Sequence, residues 1–324
     1  MTERIDNQLW AIVLAAGEGK RLVPLTRALY GWELPKQFAE IARGRSLLQE
    51  TMDRIVPLVP RQRTIVVVGQ EHESLARLQL GEYDGVEIVV QPLNLDTGPG
   101  ILLPLAHVLA RDPDASVVVL PSDHYVANPE PFIRALSAAG VFSRRSAHPV
   151  TLLGVVPDRA ETEYGWIVPG NVLKSGAEAE QRSVRRFVEK PPLGVAQTLL
   201  RHGALWNTFV SAGRVSSYWK LARKHLPEQA AAFELYALEI ERPGREAFLR
   251  SIYAAMKPAN FSKDVLERAE ELAVVPVSGS GWSDWGSPSR IFHSLKGTAG
   301  LERLRGRMLA AAMPSRLPNR SSRP

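Results

Sequence analysis

Five stretches of this 324-residue chain carry side chains able to handle phosphate, sugar hydroxyls or a divalent cation. The first is Ala15-Ala16-Gly17-Glu18-Gly19-Lys20-Arg21-Leu22, directly after the apolar run Trp10–Leu14. A glycine-rich turn after a buried strand exposes backbone N–H groups that can cradle phosphate, and Arg21 adds a fork of donors suited to phosphate oxygens. The turn is not a P-loop, because Arg21 stands where Ser or Thr is needed. It is not a dinucleotide fingerprint either, because Leu22 takes the place of the third glycine. Alone, it also reads as an ordinary tight strand-to-helix turn. Lys36, in Pro35-Lys36-Gln37-Phe38, could reach a triphosphate as a point charge, but by itself reads as a surface lysine. Asp123, in Pro121-Ser122-Asp123-His124, follows an apolar run, where a carboxylate suits Mg²⁺ or caps a helix. Gly281-Trp282-Ser283-Asp284-Trp285-Gly286 offers a second carboxylate, and two carboxylates joined by the fold would hold one divalent ion. Phe187-Val188-Glu189-Lys190-Pro191 sets a carboxylate beside an ammonium, as a sugar phosphate requires and as an edge-strand ion pair would also show.

These residues need a scaffold, and the apolar pattern supplies one. Runs at 10–14, 64–68, 86–90, 116–120 and 150–156 are β-branched and bounded by Gly, Pro or Asp, which predicts buried strands. Helical spacing lies between most of them, at 46–56, 72–80, 101–110 and 131–142. This alternation predicts an α/β fold with a mostly parallel central sheet and helices on both faces, and ligands then sit outside the carboxyl ends of the strands. Further strands are expected at 166–168, 184–188 and 273–277, the last near an edge because of Pro276. Helices are expected at 195–201, 216–225, 230–241 and 245–256.

Composition excludes several classes. The chain has no cysteine, so disulfides, thiolate metal sites and thiol nucleophiles are out, and its seven histidines show no zinc-ligand spacing. No apolar run approaches a membrane span and residues 1–6 do not resemble a signal peptide, so a cytoplasmic location is expected. The net charge of +6 resides almost wholly in residues 301–324, with six arginines and one glutamate. That points to a basic tail, disordered from Pro314, rather than to a nucleic-acid-binding face. Two regions are therefore expected, 1–300 and 301–324.

In order, these segments resemble the sugar nucleotidyltransferase family, with mannose-1-phosphate guanylyltransferases as the nearest branch. The resemblance runs from Leu14 through Leu22 and Pro24-Leu25-Thr26-Arg27, Pro35-Lys36-Gln37-Phe38, Pro121–His124, Tyr164-Gly165, Val188–Pro191 and Trp206-Asn207 to Trp282-Ser283-Asp284 and Gly286-Ser287. It implies a GT-A-like nucleotidyltransferase fold, a nucleoside triphosphate and a sugar-1-phosphate as partners, Mg²⁺ as cofactor, and a homodimer as the assembly it allows. Among the matching residues it implies that Ala15, Ala16, Gly17, Gly19, Arg21, Lys36, Asp96, Thr97 and Ser122 serve the nucleotide. Asp123 and Asp284 would bind the metal, Gly165, Glu189 and Asn207 the sugar, and Lys190 its phosphate. Arg21, Lys36, Asp123 and Lys190 are then the catalytic set. Ala16 stands where the family has glycine, Lys20 for threonine, Asp96 for asparagine and Thr208-Phe209 for Ser-Gly. A carboxylate at Asp96 matches guanine's adjacent N1–H and N2–H₂, or else caps the helix expected at Ile101. A uridylyl- or thymidylyltransferase and a non-catalytic sugar-nucleotide binder remain the alternatives.

Overall fold

A computed structural model describes residues 9–145, 150–175 and 179–312. The strands are β1 (Leu9–Leu14), β2 (Thr64–Gly69), β3 (Glu87–Gln91), β4 (Ser116–Pro121), β5 (Tyr125–Val126), β6 (Val150–Val155), β7 (Gly165–Ser175), β8 (Glu180–Glu189), β9 (Leu205–Arg214), β10 (Leu272–Val277) and β11 (Trp282–Ser283). The helices are α1 (Val23–Tyr30), α2 (Leu47–Ile55), α3 (Glu73–Leu80), α4 (Thr97–Arg111), α5 (Pro129–Arg145), α6 (Leu193–Arg201), α7 (Val215–His225), α8 (Pro227–Glu239), α9 (Arg245–Ala255), α10 (Pro288–Ser294) and α11 (Ala299–Ala312).

Nine strands form one sheet in the order β3-β2-β1-β4-β9-β6-β10-β8-β7, and the pairings make β8 and β9 run against the other seven. Successive strand residues face opposite sides. Leu9, Ala11 and Val13 therefore join one apolar cluster, and Trp10 and Ile12 the other. Both faces are covered, which is why β1, β2 and β4 read as unbroken apolar runs. This is the mostly parallel α/β sheet that the alternation predicts.

Two local expectations need correction. β10 is not at an edge: it lies between β6 and β8. Pro276 is tolerated because β8 pairs with β10 only at Ala273 and Val274, so its missing N–H falls past that ladder. The boundary at residue 300 falls inside α11, where Leu301 and Leu304 are buried in the core. Arg303 donates to the Ala42 carbonyl and Arg307 reaches Glu40. Half of the expected basic tail is thus packed structure, held by apolar residues spaced three apart; residues 313–324 lie outside the described part.

β9 is a strand that the apolar pattern does not announce. It carries Asn207, Thr208 and Ser211, all buried. The Thr208 hydroxyl donates to the Leu153 carbonyl at 2.8 Å, and Ser211 shares a hydrogen bond with the Tyr218 hydroxyl at 2.8 Å. Its register against β6 slips between Leu152 and Gly154, and Phe209 sits at φ 60. Such bulges re-aim side chains beside functional sites, and this one lies two residues from Asn207. β7 also pairs back to β9 at Trp166–Trp206, curling the far strands onto the sheet.

Candidate active site

The turn after β1 is stapled from three sides. Ala15 N–H donates to the Val67 carbonyl at 2.8 Å, and the Gln37 amide donates to the carbonyls of Ala15 and Gly17 at 2.8 and 2.7 Å. Gly19 has φ 62, and a Cβ there would lie 2.7 Å from the backbone nitrogen of Lys36, so only glycine fits. Gly17 has open space before it and, with Ala16, lines a cleft of about 430 Å³. Asp96, Thr97 and Gln91 form other parts of its wall.

Lys36 is buried rather than a surface residue. Its ammonium, 6% exposed, lies 2.9 Å from Asp123 Oδ2 and donates to the Asp284 carbonyl at 2.5 Å. What brings the Asp123 carboxylate and the Asp284 main-chain carbonyl, some 160 positions apart, to one ammonium is a two-stranded ribbon. β5 pairs antiparallel with β11, Tyr125 against Ser283 and Val126 against Trp282. Asp123 lies two residues before one strand and Asp284 follows the other directly. The ribbon is backed by Tyr125 stacked on Trp285 at 4.2 Å. The Arg54 guanidinium supports the Asp123 turn from α2, donating to the His124 carbonyl at 3.2 Å.

The electrostatics keep both acids ionised. Burial pushes the Asp123 carboxyl up, but the Lys36 ammonium outweighs it and holds it below the usual range. Burial likewise opposes Asp284, and Lys36, the Tyr164 hydroxyl and Arg290 bring it below its ordinary value. Burial drives His124 down to about 4, so it is neutral, and its Nδ1 accepts from Trp282 Nε1 at 3.3 Å. A carboxyl with a depressed native pKa adds stability that is complete above its unfolded value, 3.8 for aspartate, and is lost as pH falls through the native one. Asp284→Asn should therefore flatten the fall of the urea midpoint below about pH 4; an unchanged slope would show that Asp284 titrates ordinarily.

Gly165, Glu189 and Asn207 converge as a second group. Gly165 pairs with Glu189 across β7 and β8. A Cβ on Gly165 would lie 2.7 Å from Glu189 Oε2 and 3.3 Å from Asn207 Cβ, so the missing side chain makes room for the carboxylate. Burial raises the Glu189 carboxyl, opposed by Lys190 and reinforced by Glu267 and Asp96, which also places Asp96 within electrostatic reach of this group. Lys190 is exposed, at φ 46, with its ammonium 3.8 Å from Glu189. Gly165→Ala should raise KM for the sugar phosphate by about tenfold or more while KM for the triphosphate stays within about twofold, if the displaced carboxylate binds sugar hydroxyls. Equal changes in both constants would count against that role.

Other expected residues lie elsewhere or are otherwise engaged. Arg21 is exposed, 3.1 Å from Glu163 and 3.8 Å from Asp284. Ser122 is buried and donates its hydroxyl to the Leu14 carbonyl, tying β4 to β1 rather than facing the cleft. Asp96 caps α4, which starts at Thr97, four residues before Ile101. It sits at φ 68, ψ −172, a region that favours glycine. Thr97 N–H at 2.6 Å and the Asn260 amide at 3.1 and 3.3 Å hold its carboxylate. The Thr97 hydroxyl accepts from Phe261 N–H at 2.8 Å. Sequence reasoning gave no role to Gln91, whose Oε1 is buried without a hydrogen-bond partner, or to Glu161 and Arg290 around Asp284, and it noted Tyr164 only within the Tyr164-Gly165 match. Gln91 heads the same stretch that carries Asp96.

The family model described as Nucleotidyl transferase matches residues 10–299. Mannose-1-phosphate guanylyltransferase ManC of Salmonella typhimurium is 32% identical over 298 residues, covering 89% of this chain and 59% of that protein. Mannose-1-phosphate guanylyltransferase of Escherichia coli is 30% identical over 305 residues, 91% of this chain and 61% of its own length. The chain thus spans about three fifths of these curated relatives. A Thermus thermophilus crystal structure, described as a mannose-1-phosphate geranyltransferase, superposes with TM-score 0.77 at 32% identity over 89% of this chain and 79% of that one. A Helicobacter pylori structure described as a mannose-6-phosphate isomerase shares the fold at TM-score 0.66 and 20% identity, covering 85% of this chain and 99% of that one. With a matching family model over nearly its whole length, the chain belongs to the nucleotidyl transferase family.

Proposed function

We propose that the protein joins a sugar-1-phosphate, with mannose-1-phosphate first among candidates, to GTP, releasing pyrophosphate and a nucleotide-sugar. The observation that carries this reading is the Lys36 ammonium joining the Asp123 carboxylate to the main-chain carbonyl of Asp284, within a fold whose glycine turn borders an open cleft. The nucleophile is a phosphate oxygen of the sugar phosphate and the target is the α-phosphorus. A phosphate monoester is mostly dianionic at neutral pH, its second pKa being about 6, so no general base is needed. The barrier is repulsion between two anions. Orientation and charge neutralisation by Arg21, Lys36 and Lys190 answer it.

Magnesium fits the donor set. Mg²⁺ takes oxygen ligands from one or two carboxylates and completes its shell with substrate phosphates. Asp123 is about one third exposed, and its Oδ1 has only His124 Nε2 nearby, at 3.7 Å. Asp284 Oδ2 accepts from Arg290 Nη1 at 3.0 Å while Tyr164 and Gly286 donate to Oδ1, so Oδ2 keeps one further acceptor position. Among the described residues no cluster of three or more His, Cys, Asp or Glu forms a self-contained metal cage. Bound there, the ion would neutralise charge on the phosphates. Guanine is supported by Asp96 on the cleft wall, whose carboxylate keeps acceptor capacity beyond its bonds from Thr97 N–H and the Asn260 amide. A cytoplasmic site of action agrees with the cysteine-free sequence, and among the described residues no helix is long and apolar enough to cross a membrane.

The test is a matrix of four nucleoside triphosphates against mannose-, glucose- and N-acetylglucosamine-1-phosphate, read by pyrophosphate release. Preferred turnover of GTP with mannose-1-phosphate is expected. Preference for UTP or dTTP with glucose-1-phosphate would move the protein to another branch. Product-induced thermal stabilisation without turnover of any pair would make it a binding protein. In the same assay Asp96→Asn should narrow the preference for guanine, and an unchanged preference would remove Asp96 from base selection.

A further inference from the structure

Asp284 is not free in the ligand-free protein. Arg290, from α10, places Nη1 3.0 Å from both of its oxygens and Nη2 2.8 Å from Glu161 Oε2. Its guanidinium lies over the Tyr164 ring at 4.7 Å, and the side chain is only 11% exposed. Tyr164 donates to Asp284 Oδ1 at 2.7 Å and Gly286 N–H at 2.9 Å, so Oδ1 is held without help from Arg290. Oδ2 has Arg290 and, at 3.8 Å, Arg21. Gly286 is where the three side chains crowd: a Cβ there would collide with Asp284 Oδ2 and lie 2.7 Å from Arg290 Nη1 and 3.1 Å from Arg21 Nη2.

Resting on the proposed function, we propose that Arg290 is a resident counter-ion of Asp284 which passes its guanidinium to a triphosphate oxygen when a divalent cation takes Oδ2, coupling cation binding to nucleotide binding. The argument is one of charge. A divalent ion at Oδ2 and a guanidinium 3.0 Å from the same oxygen repel each other, so one must move. Without an anionic ligand the displaced guanidinium keeps, among the described residues, only Glu161 as an acidic partner, in a largely dehydrated position, which is costly. With a triphosphate present it gains charge-assisted bonds to phosphate instead. Cation and nucleotide then favour each other, and the linkage is reciprocal. Tyr164 and Gly286 keep the carboxylate oriented throughout.

The test reads Mn²⁺ binding by electron paramagnetic resonance in the absence of any substrate, and GTP affinity by calorimetry at saturating Mg²⁺ without sugar phosphate. Arg290→Gln should tighten Mn²⁺ about tenfold and weaken GTP about tenfold. Arg290→Lys keeps the charge and should leave Mn²⁺ affinity within about twofold of the parent protein. Glu161→Gln releases the guanidinium wholly to Asp284 and should weaken Mn²⁺ severalfold, the opposite sign, so the proposal is decided even if Arg290→Gln does not fold. Mn²⁺ affinity that is unchanged or weaker in a folded Arg290→Gln overturns the counter-ion role; tighter Mn²⁺ with unchanged GTP affinity overturns the transfer. If the substrate matrix shows no turnover, the proposed function falls, while the Mn²⁺ titration still decides the role of Arg290.

Discussion

Replacing Asp123 by alanine is expected to lower kcat by on the order of 10²-fold or more, by analogy with the loss of a single transition-state contact. The carboxylate stands at the carboxyl end of β4, where open α/β sheets hold their ligands. It is kept ionised against burial by the Lys36 ammonium, and its Oδ1 stands 3.7 Å from His124 Nε2. The variant leaves Lys36 with the Asp284 carbonyl alone, so some loss of stability is expected too, about 1–3 kcal/mol for a buried donor deprived of a partner. Pyrophosphate release at saturating substrates and a thermal melt separate the two effects. Full turnover with Mg²⁺ in a folded Asp123→Ala protein would falsify the assignment of Asp123 to the mechanism.

Lys36→Met carries the next largest expectation. The ammonium is buried and holds a carboxylate from one turn and a carbonyl from the other. Removing it strips the ion pair of its cation, which costs about 3 kcal/mol, the low end of the range for buried pairs because Asp123 keeps some contact with water. A drop in kcat of on the order of 10²-fold is expected with it, since in the proposed reaction this charge helps neutralise the phosphates. Lys36 is also the foremost group lowering both carboxyls, so its loss should move the acidic limb of the pH–rate profile upward. The sign follows from linkage: without the cation each carboxyl binds its proton more tightly, and the ionised site is lost at a higher pH. An acidic limb that does not move would mean that neither aspartate titrates in the rate-limiting step.

The limits of sequence reading can be argued from particular residues. The strands that carry the glycine turn and Asp123 were legible because a sheet buried on both faces must be built from continuous apolar runs, and 10–14, 64–68 and 116–120 are such runs. β9 was not legible, because its polar residues are satisfied by partners remote in sequence, such as the Leu153 carbonyl for Thr208. α11 was misread as tail because charge count outweighed the spacing of Leu301 and Leu304. Lys36 was identified for its chemistry but not for its burial, since nothing local distinguishes a lysine in water from one between two acidic turns.

Sequence alone therefore determined which chemical groups are available and, through apolar periodicity, that they follow strands of an α/β sheet. Hydrophobic burial and backbone chirality act locally enough to leave that imprint. Only the tertiary structure decided which groups meet. A two-residue ribbon between β5 and β11 joins Asp123 to Asp284, and Arg290 and Tyr164 close around the second acid. Electrostatic partnership acts over a few ångströms, and residues some 160 positions apart come that close only when a whole sheet is folded between them.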